Sequence, residues 1–310
     1  PQLDANPRVH AGRFRTGARQ AFVRARSVGS LAAPLIVAAC SEAPAIFGTH
    51  GLAADRIAVL GWVYTIISCI VLGVVTVLVV LALVRRRSAP DNSAANAIKH
   101  SHSHHAIRWI VIGGIIAPSI VLVASFLVTL VIQAEVSNPP RHPVATIEVT
   151  GHRWGWEVKY LGAGPDGSVA ATVVTANEIH VPVGQPVRLE LVSADVIHSF
   201  WVPQIAGKTD VIPGLRNTMW MQADKAGTYW GECAEYCGLQ HAHMNLTVVA
   251  ESPAAFQSWM AQQRAPAVAS TDSANAVGID AFRRAGCAIC HSIQGTDARG
   301  SIGPDLTHVA

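Results

Sequence analysis

Fourteen residues at positions 231–244, GECAEYCGLQHAHM, hold two cysteines, two histidines, a glutamate and a methionine; Cys233, Cys237, His241 and Met244 are ordered C-x3-C-x3-H-x2-M. A disulfide loop, a zinc site and an electron-transfer metal all fit such a cluster. Thiolate and thioether sulfur together with imidazole favour copper over metals that prefer hard oxygen ligands. Zinc accepts two cysteines and two histidines but has little use for Met244, and the one other close histidine, His243, is nearer His241 than paired zinc histidines usually are. A further ligand must then come from elsewhere in the chain, and His198 in SADVIHSFWVP is the candidate. Two cysteines serve two metal ions if each thiolate bridges both, but spacing does not count ions. A second cluster, CAICH, places Cys287, Cys290 and His291 in the C-x-x-C-H pattern. That pattern attaches a c-type haem through two thioethers and an axial imidazole; a disulfide is the alternative.

The elements that must position these residues fall into distinct regions. From about Pro143 to Ala250, TIEVTG, EIHVPVGQPVRLELV and MNLTVV alternate at period two, with PDG and PVGQP as turns. Several short strands over such a length predict a β-sandwich. His198 follows the run ending at Val192, which puts it at one end of the sandwich beside the 233–244 loop. SPAAFQSWMAQQ then predicts a short helix, APAVASTDSANA a small-residue linker, and IDAFRRAGCAICH the start of another unit.

The rest of the chain concerns the membrane. Of 310 residues 50% are hydrophobic and 14% charged, too apolar a balance for an ordinary soluble protein. Two uncharged runs account for it, Ile57 to Val84 and Trp109 to Ala134, each longer than the roughly 20 residues a helix needs to cross a bilayer. Between them Arg85, Arg86, Arg87, Lys99 and Arg108 face a single acid, Asp91, so the positive-inside rule puts this loop in the cytoplasm and everything after Ala134 outside. That compartment permits disulfides, so the ligand spacing has to decide. In the loop, His100, His102, His104 and His105 read as a solvated segment, with a metal site as the alternative. At the start of the chain Arg13, Arg15, Arg19, Arg24 and Arg26 precede only thirteen apolar residues, the layout of a secretory signal. It ends in VAAC, similar to the lipobox of bacterial lipoproteins, which would place a lipid anchor on Cys40. Without residues 1–39 the chain carries 17 basic against 19 acidic residues, and no nucleic-acid-binding footprint remains.

Four ordered motifs resemble subunit II of haem-copper cytochrome c oxidases: CAEYCGLQHAHM, DVIHS at Asp195 to Ser199, GKTDVIPG at Gly207 to Gly214, and GHRWGW at Gly151 to Trp156. The resemblance covers about residues 57–250. It implies a cupredoxin-like sandwich with a binuclear copper (CuA) centre. Cys233 and Cys237 would bridge the two coppers, His198 and Met244 would complete one, and His241 and the Glu235 carbonyl the other. The Glu235 side chain would bind a magnesium ion shared with subunit I, as suits a carboxylate and a hard cation. Trp154 is implied as the electron-entry residue, leaving Trp156 to packing, and Asp195 is either a carboxylate that orients or docks, or a turn residue. GPDLTHV after CAICH resembles class I cytochromes c, whose proline packs on the haem-ligating histidine.

The implied whole is a membrane-anchored multidomain chain. A signal peptide occupies 1–39 and an exterior segment 40–56. Transmembrane helices at 57–84 and 109–134 flank the cytoplasmic loop 85–108. The copper domain spans 135–250, a linker 251–274, and a truncated α-helical cytochrome c domain 275–310. The absence of a methionine after Met260 to serve as sixth haem ligand, and a first residue other than methionine, read as a fragment. The chain is expected in a bacterial inner membrane, in contact with lipid, subunit I and other oxidase subunits. Cytochrome c or another periplasmic donor would supply electrons for proton-pumping reduction of oxygen in subunit I, with no catalytic residue in this chain. No acid lies between Asp91 and Glu135, so a proton entrance at the second span is not expected. A copper-free assembly subunit like that of quinol oxidases would lack the cysteines, and a nitrous-oxide-reductase-like domain would lack the spans.

Overall fold

The computed structural model describes residues 46–87, 104–163, 168–265 and 273–308. The expected signal peptide, Cys40, His100, His102 and the PDG turn lie outside the described residues, as do the side chains of His104 and His105.

The sandwich is built from strands β1 (Thr146–His152), β2 (Gly155–Ala163), β3 (Val169–Ala176), β4 (Glu178–Pro182), β5 (Val187–Ser193), β6 (His198–Trp201), β7 (Thr209–Val211), β8 (Asn217–Met221), β9 (Gly227–Cys233) and β10 (Asn245–Glu251). One sheet runs β3-β2-β1-β5-β8 and the other β4-β10-β9-β6-β7. Strand side chains alternate between faces, so every second residue of β1, β2 and β10 turns inward. Ile147, Val149, Trp156, Val158, Tyr160, Leu189, Leu191, Phe200, Leu246 and Val248 meet between the sheets, all essentially inaccessible. Burying each such aliphatic or aromatic side chain contributes roughly 1.5–3 kcal/mol. That holds the strand ends that carry the ligands.

Helix α1 (Leu52–Arg87) starts five residues before the expected Ile57. The charged pair Asp55 and Arg56 interrupts the apolar run without interrupting the helix. Asp55 lies in the first turn, where the helix dipole favours an acid, and Arg56 Nε sits 3.1 Å from Glu135 at the end of the second helix. Ala53 and Ala54 are buried against the sandwich. The second helix is also longer than expected. It runs as α2 (His104–Val111), a π-helical turn (Ile112–Ile116) and α3 (Ala117–Ser137). Pro118 offers no N–H and its ring crowds the carbonyl four residues back, and the wider turn before it absorbs that defect. The expected loop 85–108 is correspondingly shorter. Both helices are long and apolar enough to cross a membrane. Tyr64 joins them through its hydroxyl, 2.6 Å from Thr129 Oγ1.

The helical pair is sewn to the sandwich at its outer end. Trp220 Nε1 donates to the Val136 carbonyl at 2.7 Å, and Gly51 pairs with Ala223. A Cβ at Gly51 would fall 2.4 Å from the Ile205 carbonyl oxygen, so no larger residue fits that crossing. Beyond β10, α4 (Pro253–Gln263) is capped by Ser252 and buries Phe256 and Met260. Helix α5 (Ser273–Arg284) begins inside the small-residue stretch read as linker, because its alanines are good helix formers.

Candidate metal centre

Strands β6 and β9 pair with Phe200 opposite Cys233, which brings His198 at the start of β6 beside the end of β9. The main chain closes the loop that follows: Cys233 N donates to Met244 O at 3.0 Å, and Ala234 N to Ser199 O at 2.9 Å. A 3-10 turn, His241–His243, then returns the chain to β10. The four residues singled out by spacing, His198, and the Glu235 carbonyl implied by the resemblance thereby converge from two segments. Cys233 Sγ lies 3.9 Å from His198 Nδ1, 3.2 Å from the Glu235 carbonyl oxygen and 3.9 Å from Cys237 Sγ. Cys237 Sγ lies 3.6 Å from His241 Nδ1 and 3.7 Å from Met244 Sδ. His198 and Met244 are fully buried, and both cysteines nearly so.

A disulfide would hold the sulfurs about 2.05 Å apart; at 3.9 Å the two are separate thiols facing a shared space. Six converging donors exceed the four of a closed tetrahedral zinc site, and a buried thioether among them is a soft-metal ligand. The donor set therefore fits copper, and two thiols facing one space are compatible with the copper pair that the resemblance implies. Electrostatics prepare one thiol for it: burial opposes ionisation of Cys233, but hydrogen bonds with His198, with the main chain of Ser199 and Glu235, and with His241 together outweigh it and pull the thiol down to about 6. Burial, and then the charge of that neighbour, push Cys237 upward.

Asp195 combines the two roles the sequence left open. Its Oδ1 accepts from His198 Nε2 at 2.8 Å, which turns His198 Nδ1 toward the sulfurs, and from its turn neighbour Val196 N at 2.6 Å. Its Oδ2 accepts from Arg153 N at 2.8 Å. Burial raises the Asp195 carboxyl, but these hydrogen bonds overcome it and bring it down to about 2.

The two tryptophans occupy different surroundings. Trp156 is buried, its ring edge-on to His198 and Phe200. Trp154 occupies the two-residue turn between β1 and β2, stays 37% exposed, and donates from Nε1 to the Cys237 carbonyl at 3.2 Å. Glu235 is exposed. Beneath the centre, a groove of about 1170 Å3 separates the helical pair from the sandwich, lined by Gln133, Trp201, Glu232, Cys233 and His241 among others.

Three positions escaped the sequence reading. Arg153 reaches Asp195 through its side chain as well as its main chain. Asn177, at φ +57°, accepts from the main chain of Trp156, two residues past Trp154; an asparagine ahead of a strand was the available signal. Gly151 lies so close to His198 that a Cβ there would fall 2.8 Å from Cδ2. Gly151→Ala is accordingly expected to push the His198 ring aside and cost about 1–3 kcal/mol, as overpacking does. Thermal unfolding together with the optical spectrum of the metal-loaded chain checks this.

In the C-terminal unit, Cys287 and Cys290 are free thiols on and just after a 3-10 turn (Cys287–Ile289). His291 Nδ1 lies 2.9 Å from the Pro304 carbonyl. Gly300 and Gly303 leave room for this packing: a Cβ on either would collide with the Cys290 main chain or the His291 ring.

Comparison with known proteins agrees with this layout. Residues 145–251 match the family described as "Cytochrome C oxidase subunit II, periplasmic domain". Cytochrome c oxidase subunit 2 of Alkalihalophilus pseudofirmus is 31% identical over 260 residues, 80% of this chain and 71% of that one. The chain belongs to the cytochrome c oxidase subunit II family. The subunit of Thermostichus vulcanus is 39% identical over 127 residues, 41% of this chain and 36% of its own. Quinol oxidase subunit 2 of Bacillus anthracis is 27% identical over 257 residues, 80% and 83% of the two chains. The two apolar helices and cupredoxin-like sandwich expected of a subunit II are both present.

Proposed function

We propose that this chain is the electron-entry subunit of a proton-pumping terminal oxidase that reduces oxygen in subunit I. The observation that carries the reading is the convergence of His198, Cys233, Glu235, Cys237, His241 and Met244 on two thiols 3.9 Å apart. These residues would hold a binuclear copper centre, which when bound supplies one-electron chemistry with the charge shared over two ions. The buried β6 and β9 ends keep the ligands from relaxing, so little reorganises around the charge change. Asp195 orients His198, and Trp154, touching both solvent and the Cys237 carbonyl, is the contact for the incoming donor. The same ligand set favours this reading over a copper-free quinol oxidase subunit.

The finer assignments rest on individual residues. The exposed Glu235 carboxylate is suited to a magnesium ion completed by ligands from subunit I, and the groove between helices and sandwich is the surface for that neighbour. The chain would sit in a bacterial inner membrane, in lipid, with the sandwich on the periplasmic side, a reading that the two long apolar helices support; Cys40 would be a lipid anchor once the signal at 1–39 is removed. The order of segments is that given above, with helix ends moved to 52–87 and 104–137.

The CAICH unit is a fused c-type cytochrome segment that receives electrons from a periplasmic donor such as cytochrome c. His291 supports this. With Nδ1 donating to the Pro304 carbonyl, its Nε2 is left as the ligand atom, and Cys287 and Cys290 are unpaired thiols available for thioether bonds. Expression of the whole chain with haem-attachment machinery is expected to yield one covalent haem by mass and by absorbance. Cys287→Ala/Cys290→Ala should abolish the haem and leave the copper signal intact. A haem-free wild-type chain under those conditions would refute the assignment.

A further inference from the structure

We infer that Asn177 is a positioning residue for electron entry: it fixes the turn that carries Trp154 against the strand that follows the ligand Met244. The inference rests on the reading of Trp154 as the entry contact. Trp154 sits at the tip of a hairpin, with His152 paired to Gly155 and only Arg153 and Trp154 between. Such a tip is free to rock unless something outside the hairpin holds it.

Asn177 braces the hairpin at Trp156, two residues past Trp154, and ties it to β10. Its Oδ1 accepts from Trp156 N at 2.7 Å, and its own N donates to Trp156 O at 2.8 Å, so both main-chain groups of Trp156 are engaged by one residue. The Asn177 carbonyl accepts from Thr247 N at 2.8 Å, on β10, which begins one residue after Met244. Asn177 is also the single residue between β3 and β4, the point where the chain leaves one sheet for the other. One residue thus couples the Trp154 hairpin in the first sheet to the strand that follows Met244 in the second.

The residue type is dictated by this duty. At φ +57° the backbone lies in the left-handed region, which asparagine and aspartate tolerate better than other residues with a side chain. The side chain must also present an acceptor to Trp156 N, which glycine lacks. Gly155 completes the fit, since a Cβ there would fall 3.2 Å from Asn177 Oδ1. Arg153 N, bonded to Asp195, secures the hairpin from its other side, and Asp195 holds His198. The hairpin is therefore tied through Arg153 to the segment that carries His198, and through Trp156 and Asn177 to the strand that follows Met244.

The test compares Asn177→Gly, which keeps the backbone conformation and loses the acceptor, with Asn177→Asp, which keeps both. Each is placed in the full chain within the assembled oxidase. Reduction of the copper centre by a reduced c-type cytochrome is followed by stopped flow, alongside copper content and optical spectrum. A misplacement of the entry group by a fraction of an ångström to 1 Å is expected to slow reduction about tenfold in Asn177→Gly. Copper content and spectrum should be unchanged, and Asn177→Asp should restore the wild-type rate. Equal rates for Asn177→Gly and wild type, loss of copper in Asn177→Gly, or failure of Asn177→Asp to restore the rate would each overturn the inference. Trp154→Phe, measured in parallel, separates the two levels. If it leaves the rate unchanged, the entry reading itself fails; if it slows reduction while Asn177→Gly does not, only the role of Asn177 fails.

Discussion

Cys233→Ser is expected to remove the whole metal centre while leaving the sandwich folded. The fold does not depend on the sulfur: the bonds that close the loop run from Cys233 N to Met244 O and from Ala234 N to Ser199 O, and both survive the substitution. The site does depend on it. Cys233 Sγ is the atom that meets His198, the Glu235 carbonyl and Cys237 together. A serine hydroxyl is shorter, harder and far less readily ionised than a thiol whose ionisation His198 already favours, so it does not bridge soft metal ions. Metal analysis of the variant should find both coppers absent. Oxidation of a reduced donor by the assembled oxidase should fall by ~10³-fold or more, equivalent to ~4 kcal/mol of barrier. The unfolding midpoint of the metal-free protein should stay close to that of the metal-free wild type. Retention of a single copper with a normal donor rate would show that Cys233 is not a bridging ligand.

Trp154→Phe should do the reverse, sparing the metal and slowing its reduction. The indole is the exposed group whose Nε1–H reaches the Cys237 carbonyl at 3.2 Å, and its ring covers Gly238, where a Cβ would fall 3.1 Å from Cζ2. Phenylalanine keeps an aromatic face but loses the hydrogen bond and the second ring. Stopped-flow reduction is expected to slow by on the order of 10²-fold, ~2.7 kcal/mol, with the optical and EPR spectra of the centre unaltered. Trp156→Phe supplies the contrast. That residue is buried against His198 and Phe200, so its loss should perturb the spectrum and stability before it affects the donor.

The parts of this structure that repeat in sequence were the parts that could be read there. Alternation in TIEVTG and MNLTVV became β1 and β10, and the uncharged runs became the apolar helices, because a period-two pattern reports a strand buried on one face and a long uninterrupted apolar run reports a helix apolar on every side. The ligand cluster was legible for another reason: Met244 among cysteines and histidines is an unusual donor, and His198 lay where the sandwich had to bring its strand end. Helix ends were less legible, since Asp55 and Arg56 are charged yet helical, each satisfied by an end effect or a partner a full helix away. Least legible were Asn177, Arg153 and the His198 hydrogen bond of Asp195. Their roles come from pairings between segments 21 to 42 residues apart or from a tight local turn, and nothing periodic announces either.

The most direct test of the central claim is to count the metal in the full chain and record its EPR spectrum after copper loading. Two coppers per chain sharing one unpaired electron, with Cys233 and Cys237 both protected from alkylation, is the result predicted by the convergence of six donors on two separate thiols. One zinc ion, a single isolated copper, or a Cys233–Cys237 disulfide that refuses copper would contradict it.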